Sequence, residues 1–281
     1  MKRITRLALV LLSLTLVASC APLAAMPSAQ PTQEPTAQPT SQPTAQPADP
    51  GAAGLGDPVF PQAGNGGYDA QHYVLDLGVD VEENVLTGTV TMTAEATQAL
   101  NAFNLDFAGF TIDDIAVNAR SAAYERTGGE LTVRPSHSIA VGEPFTTRVS
   151  YHGTPGEDGA WHHRDGAIFV TGEPVGAATW YPVNNHPLDK ATYTFRITTH
   201  RPYMAVASGN LVDTVENAET VTTVWEMDRP MASYLSMIYA ADFAVQDGDD
   251  LADLEIQNYV PPRLAQEAEG LFDTQDEMIT F

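Results

Sequence analysis

The sequence has little cysteine and little positive charge. Its 281 residues include one cysteine, Cys20, so no disulfide can form within the chain and burial alone must hold the fold. Thirteen basic side chains stand against 36 acidic ones, which gives a formal net charge of −23. A surface of that sign repels phosphate groups, and we therefore expect no nucleic acid partner.

The amino terminus has the order of an export signal. Three basic residues within the first six positions precede an apolar run at 7–17, and small residues then lead into Cys20. The run is too short to cross a bilayer comfortably. Its end resembles the lipobox of bacterial lipoproteins, in which the cysteine is lipidated and becomes the mature amino terminus. We expect residues 1–20 to be a lipoprotein signal peptide and the exported protein to be anchored through Cys20 at the outer face of the cell membrane or of another envelope membrane. An ordinary cleaved signal is the alternative.

The segment that follows is poor in residues that could form a core. Proline, threonine, glutamine and alanine dominate it, with a loose Pro-Thr-x-Gln repeat between residues 31 and 46. Prolines remove backbone donors, and a polar segment buries too little to fold. We expect a disordered linker over 21–66 that acts as a spacer. A ligand for a proline-recognising partner is the alternative.

From Tyr68 onward, apolar and polar residues alternate with a period of two. Such alternation is typical of half-buried strands, and turns rich in Gly, Asp and Asn separate the runs. The sequence therefore predicts an all-β domain over 67–247, an antiparallel β-sandwich. The apolar positions that carry this prediction are Tyr73, Leu75, Leu77, Val79, Leu86, Val90, Met92, Phe103, Leu105, Phe107, Phe145, Val149, Tyr151, Tyr193, Phe195, Ile197, Val221 and Trp225.

The last 34 residues, 248–281, have a different pattern. One more strand is predicted near Tyr259, and apolar residues from Leu264 to Ile279 then recur at helical spacing after Pro262. The helix has no stop signal. We expect this segment to be the start of a further domain that is missing, and the chain to be truncated.

Motifs for catalysis are absent from the sequence. No histidine pair has the His-Glu-x-x-His spacing of a helical zinc site, and no Gly-x-Ser-x-Gly elbow is present. His162 and His163 are adjacent, but neighbouring strand residues point to opposite faces, which disfavours a shared metal ion. We expect no catalytic residue and no metal ligand in these 281 residues.

One stretch is specific enough to compare with a known family. Trp180-Tyr181-Pro182 is followed by Asn184, His186-Pro187 and the run 189–193. This pattern resembles the amino-terminal β-domain of the M1 zinc aminopeptidases, the aminopeptidase N-like enzymes. Residues 205–211 are similar to a later turn of that domain. Two positions depart from the family pattern: Val183 replaces a Cys and Asn185 an Asp, which we expect to weaken local hydrogen bonding.

The resemblance gives Glu173 a role. M1 enzymes have a Glu or Gln nine positions before the motif proline, Pro182, that binds the substrate's free α-amino group. It also implies Zn²⁺ in the complete protein, with ligands beyond this chain, and peptide substrates held by their N-termini. A surface glutamate without a role is the alternative at Glu173.

Two functions follow for the whole protein. It is expected to be an exported M1-type zinc metallo-aminopeptidase that removes N-terminal amino acids from peptides, of which this chain is the inactive amino-terminal part. The alternative is a non-catalytic, lipid-tethered β-sandwich used for binding or adhesion.

Overall fold

The structure is a computed structural model that describes residues 48–248, 251 and 254–281. The predicted signal peptide, Cys20 and the linker up to residue 47 lie outside the described residues. The strands, numbered along the described chain, are β1 (Asp49–Pro50), β2 (Tyr68–Asp80), β3 (Val85–Ala96), β4 (Leu100–Asp106), β5 (Thr111–Val117), β6 (Arg120–Ser121), β7 (Ala123–Thr127), β8 (Glu130–Arg134), β9 (Pro144–Gly153), β10 (Trp161–Arg164), β11 (Ala167–Val170), β12 (Ala191–His200), β13 (Met204–Ala207), β14 (Asn210–Glu216), β15 (Thr220–Met231), β16 (Ile238–Ala241), β17 (Ala244–Asp247) and β18 (Gln257–Val260).

An eight-stranded sheet forms one layer of the domain. Its order is β14-β15-β12-β2-β3-β9-β5-β6. The predicted alternation is confirmed, because the apolar positions of β2, β3, β9 and β12 are buried on one face. The sheet is antiparallel except at its centre, where β2 and β12 pair in parallel with Tyr73 opposite Tyr193.

Two four-stranded sheets form the opposite layer, in the orders β1-β4-β8-β7 and β10-β11-β16-β13. Aromatic side chains join the first of them to the large sheet: the ring centroids of Phe103 and Phe145 are 5.1 Å apart, and those of Phe107 and Tyr151 are 4.9 Å apart. The second is linked through the Ala205 carbonyl, which accepts a hydrogen bond of 2.8 Å from Thr223. The all-β sandwich prediction is therefore confirmed, with one layer divided into two sheets.

The predicted linker ends earlier than residue 66, and that boundary is wrong. Strand β1 pairs in parallel with β4, and Gly51 N donates to Ala102 O at 2.9 Å. Gly66 N donates to Ala52 O, and Asn65 is fully buried. The prediction failed because this segment is held mainly by its backbone groups, which side-chain composition does not report.

The carboxyl-terminal segment contains two short helices where one helix was expected. A 3-10 turn at Pro262–Leu264 leads into α1 (Ala265–Ala268), and α2 (Gln275–Thr280) follows after a break. Gly270 lies in the break with φ +79°, a left-handed conformation that ends helices. Before them, β17 and β18 form a two-stranded sheet. No helix in the described part of the chain is long and apolar enough to cross a membrane.

Candidate functional site

Glu173 lies in a turn on the surface of the domain. Strand β11 ends at Val170, and the turn leads from there into a 3-10 helix at Gly176–Thr179. The Glu173 side chain is exposed, and the Glu173–Pro174 peptide bond is cis. Gly176 N donates to Gly172 O at 2.6 Å and closes the turn. The carboxylate is therefore presented to solvent from a hydrogen-bonded turn.

A second turn packs directly beneath Glu173. A Cβ atom at Gly172 would be closer to the Tyr234 carbonyl oxygen than van der Waals contact allows. Tyr234 belongs to the 3-10 helix Ser233–Leu235. Ser208 in turn donates to Leu235 O at 2.9 Å. The structure thus brings the Glu173 turn, residues 233–235 and the predicted turn at 205–211 together at one place on the surface.

The Trp-Tyr-Pro motif is buried in the core. Trp180 and Tyr181 are fully buried, and Tyr151 Oη donates to Trp180 O at 2.8 Å. Tyr181 Oη and Ser236 Oγ are 3.0 Å apart. Val183 N and O form a bridge with the backbone of Asp106, with N–O distances of 3.1 and 2.8 Å. The motif therefore anchors the turn in the fold, which agrees with its predicted structural role.

Asn184 and Asp189 form a buried polar centre within the motif. Asn184 Oδ1 accepts from Asn65 N at 2.6 Å, Asn184 Nδ2 donates to Asp189, and Asn184 N donates to Tyr73 Oη at 3.0 Å. Asp189 also accepts from Ala70 N at 3.2 Å. Burial raises the pKa of Asp189 to about 7, although the hydrogen bond from Ala70 acts in the opposite direction.

Asn185 links the motif to the Glu173 turn. Its Nδ2 donates to Val175 O at 2.7 Å, and its Oδ1 accepts from Ser233 Oγ at 2.9 Å. Its backbone N donates to Asp106 Oδ2 at 2.9 Å. The Asn185 side chain is fully engaged here as donor and acceptor, whereas an ionised Asp could only accept.

His162 and His163 lie on β10, as expected for a strand. The ring of His162 is 4.9 Å from that of Phe169, and its Nε2 is 2.7 Å from Thr171 Oγ1. Among the described residues, no three or more His, Cys, Asp or Glu side chains are placed to hold a metal ion. The described side chains do not fit a zinc ion.

The fold and the motif decide the family. A family model described as the peptidase M1 N-terminal domain matches residues 69–235, which is more than half of the chain. The chain belongs to the M1 peptidase family. M1 members are zinc metallopeptidases, and the chain carries the amino-terminal β-domain of that family.

Solved M1 structures agree with this assignment. The M1 zinc metallopeptidase from Deinococcus radiodurans is 28% identical over 73% of this chain and 50% of its own, with a TM-score of 0.67. A mutant of that enzyme bound to a Tyr-Ser-Ala substrate is 27% identical over the same shares of the two chains, with a TM-score of 0.68. Yeast LTA4 hydrolase in complex with bestatin has a TM-score of 0.61 at 20% identity, over 75% of this chain and 34% of its own, and shares the fold. The chain spans about half the length of the Deinococcus structures.

Sequence reasoning selected Glu173 but not the side chains that hold its turn. Asn185 and Ser233 are 48 positions apart, and their contact depends on the packing of two turns. The one signal at Asn185 was its departure from the family pattern. We interpreted that departure as a weakening of local hydrogen bonds, whereas Asn185 forms three hydrogen bonds in the structure.

Proposed function

We propose that this chain is the amino-terminal β-domain of an exported, lipid-anchored M1 zinc aminopeptidase that removes N-terminal amino acids from peptides. In this proposal, the zinc ligands and the general base belong to a catalytic domain outside the 281 residues. The observation that carries it is Glu173, an exposed carboxylate in a turn held by Asn185, within a domain of the M1 family.

The physical need for such a carboxylate is clear. An exopeptidase has to locate a free N-terminus, and an α-ammonium group is largely protonated near neutral pH. A carboxylate gives it a charge-assisted hydrogen bond that an N-acetylated peptide cannot form. Glu173 would therefore fix the end of the substrate, and the metal ion expected in the other domain would supply Lewis-acid chemistry at the scissile carbonyl.

The test uses the complete protein encoded by the gene. Replacing Glu173→Ala should lower kcat/KM for an aminoacyl-nitroanilide by about 30-fold or more, since loss of one partner of a buried charge pair costs ~2 kcal/mol or more. Glu157→Ala, an exposed loop glutamate, is the matched control and should leave kcat/KM unchanged. Equal kcat/KM in the Glu173→Ala and unsubstituted enzymes would refute the role of Glu173.

Two further observations test the assignment to an enzyme. The reading frame beyond codon 281 should encode His-Glu-x-x-His, and absence of that motif from the intact gene would favour the binding module.

The purified 281-residue chain should not hydrolyse the same nitroanilide, because the sequence lacks that motif. Zinc-dependent hydrolysis by this chain alone would contradict the proposed division between domains.

The proposed location of the protein, at a membrane, depends on lipid anchoring at Cys20. Cells given radiolabelled palmitate should incorporate the label into the protein, because lipoprotein cysteines are acylated after signal cleavage. Cys20→Ser should abolish labelling and release the protein from the membrane fraction. A labelled Cys20→Ser protein, or an unlabelled original, would show that the signal is an ordinary one.

A further inference from the structure

A cavity of about 640 Å³ opens at the side of the domain, and its lining includes Val175 and Asn185 but not Glu173. It lies between residues 59–63 and the 127–129 turn that joins β7 to β8. Asp106 and Glu130 contribute its carboxyl groups. Its apolar wall includes Val59, Phe60, Pro61, Val175 and Ala178. This volume is within the usual range for small-molecule sites, roughly 300–1,000 Å³.

The two carboxyl groups are held side by side by strand register. Asp106 and Glu130 are directly opposite each other in the antiparallel pair β4–β8. Side chains at opposite positions share one face of the sheet, with Cβ atoms about 4.5–5.5 Å apart. Like charges in such a position destabilise the pair. The fold therefore places two acidic groups where they repel each other unless a positive charge or a proton intervenes.

Oxygen atoms at this place lack hydrogen-bond donors. Among the described residues, none donates to Glu130 Oε1 or to Asn65 Oδ1, and both atoms are buried. Asn65 is fully buried, and its carboxamide lies against Asp106, since its Nδ2 donates to Asp106 Oδ2 at 2.9 Å. A buried acceptor without a donor costs ~1–3 kcal/mol. Asn65 does not line the cavity, so Glu130 Oε1 is the atom that indicates a missing donor group there.

The electrostatics agree with that conclusion. Burial raises the pKa of Asp106 to about 6, although a hydrogen bond from Asn185 N acts in the opposite direction. Burial, followed by the nearby Asp106 charge, raises the pKa of Glu130 to about 7. Both shifts have burial as their main cause, so the ionised forms of the two facing carboxyl groups are disfavoured at this place.

We propose that this cavity binds a small primary alkylamine, with its ammonium group between Asp106 and Glu130 and its alkyl chain along Val59 and Phe60. An ammonium group has three donors and no acceptor, which matches the paired carboxyl groups of Asp106 and Glu130. The apolar wall favours an alkyl chain, since removal of apolar area from water is favourable. The site does not use the Glu173 carboxylate and goes beyond the proposed peptidase function, although Val175 and Asn185 of its lining also belong to the contact that holds the Glu173 turn.

The experiment is calorimetric titration of the purified 281-residue chain with n-hexylamine at about pH 8, where both carboxyl groups are largely ionised. Saturable binding of one amine is expected, and 1-hexanol should bind at least about tenfold more weakly because it has no charge. Glu130→Gln should weaken hexylamine binding by about tenfold or more. Glu125→Gln, on the neighbouring strand β7 and exposed, is the matched control and should change the affinity by less than about twofold.

A second variant keeps the test decisive if Glu130→Gln does not fold. Phe60 is exposed at the rim, so Phe60→Ser should fold and should remove most of the preference for hexylamine over methylamine. Glu173→Ala should leave hexylamine binding unchanged, which separates this site from the peptidase site. Three outcomes would each overturn the proposal: no binding of hexylamine, equal binding of 1-hexanol, or binding of Ca²⁺ from CaCl₂ that excludes the amine.

Discussion

Asn185 shows how a single side chain joins a buried motif to the turn that carries the exposed Glu173 carboxylate. Its amide nitrogen holds the carbonyl of Val175, two residues beyond Glu173, and its amide oxygen holds Ser233. The side chain is therefore a positioning residue for the Glu173 turn. Neither hydrogen bond could be replaced by water without opening the packed turn, because Asn185 is nearly fully buried.

Replacing Asn185→Ala should lower the free energy of unfolding by about 3 kcal/mol, because the Val175 carbonyl and the Ser233 hydroxyl both lose their partner. Asn185→Asp should cost less, since the carboxylate still accepts from Ser233. Asn210→Ala, at an exposed position of β14, should change stability by less than about 0.5 kcal/mol. Urea denaturation measures all three. Equal losses for Asn185→Ala and Asn210→Ala would show that the amide does not hold the turn.

The sequence predicted residue burial better than residue partners. Trp180 and Tyr181 are buried as a structural turn requires, and His162 and His163 lie on a strand as expected. The facing of Asp106 and Glu130 was not predicted, because β4 and β8 are not consecutive strands and their register is set by packing in three dimensions. Partners that are distant in sequence need three-dimensional packing to be found.

At the scale of elements, the Glu173 turn depends on a glycine. Gly172 approaches the backbone of the Ser233–Leu235 turn so closely that a methyl group would collide with the Tyr234 carbonyl. Main-chain atoms yield less readily than the end of a flexible side chain. The position of Glu173 relative to Ser208 and Leu235 is therefore set by contact between two turns.

Replacing Gly172→Ala should displace the turn and reduce stability by about 1–3 kcal/mol, as overpacking of a close contact does. In the complete enzyme, it should also raise KM, because Glu173 moves with the turn. Gly156→Ala is the matched control, since its side chain would meet no neighbouring atom, and it should be neutral or slightly stabilising. Thermal unfolding and steady-state kinetics measure the two effects. An unchanged KM in Gly172→Ala would mean that the turn tolerates the displacement.

The sequence predicted where the strands lie, but it did not predict which strands pair in the sheet. Period-two alternation located β2, β3, β9, β12 and β15, because each has one face in the core. Alternation does not indicate direction, so the parallel pairing of β2 and β12 was missed. The carboxyl-terminal segment is helical as predicted, but it forms two short helices because Gly270 adopts a left-handed conformation within an apolar pattern.

At the scale of the whole molecule, acidic groups in the interior add to an acidic surface. The formal net charge is −23, and the buried carboxyl groups of Asp106, Glu130 and Asp189 have pKa values raised to about 6, 7 and 7. A raised carboxyl pKa means that the folded state binds protons more tightly than the unfolded state does. Stability from these groups is complete below their unfolded pKa, near 4, and is lost as pH rises through about 6 to 7.

The domain should therefore be more stable at about pH 5 than at about pH 8. His72, whose pKa is lowered by burial, acts in the opposite direction as pH falls, but it is one group against three. The midpoint of urea unfolding at the two pH values checks this. Glu130→Gln should reduce the difference between the two midpoints, and Glu125→Gln should not. A midpoint that is higher at pH 8 would contradict the prediction.

The parallel pairing of β2 with β12 affects how the domain can be made. Tyr73 and Tyr193 are neighbours in the centre of the large sheet although 120 positions separate them. During synthesis, β2 and β3 can form a hairpin early, but one edge of β2 has no partner until the ribosome has released β12. Until then, that edge can accept a strand from another nascent chain. Pausing of translation before β12 has left the ribosome would lengthen this aggregation-sensitive interval, whereas pausing after its release would not.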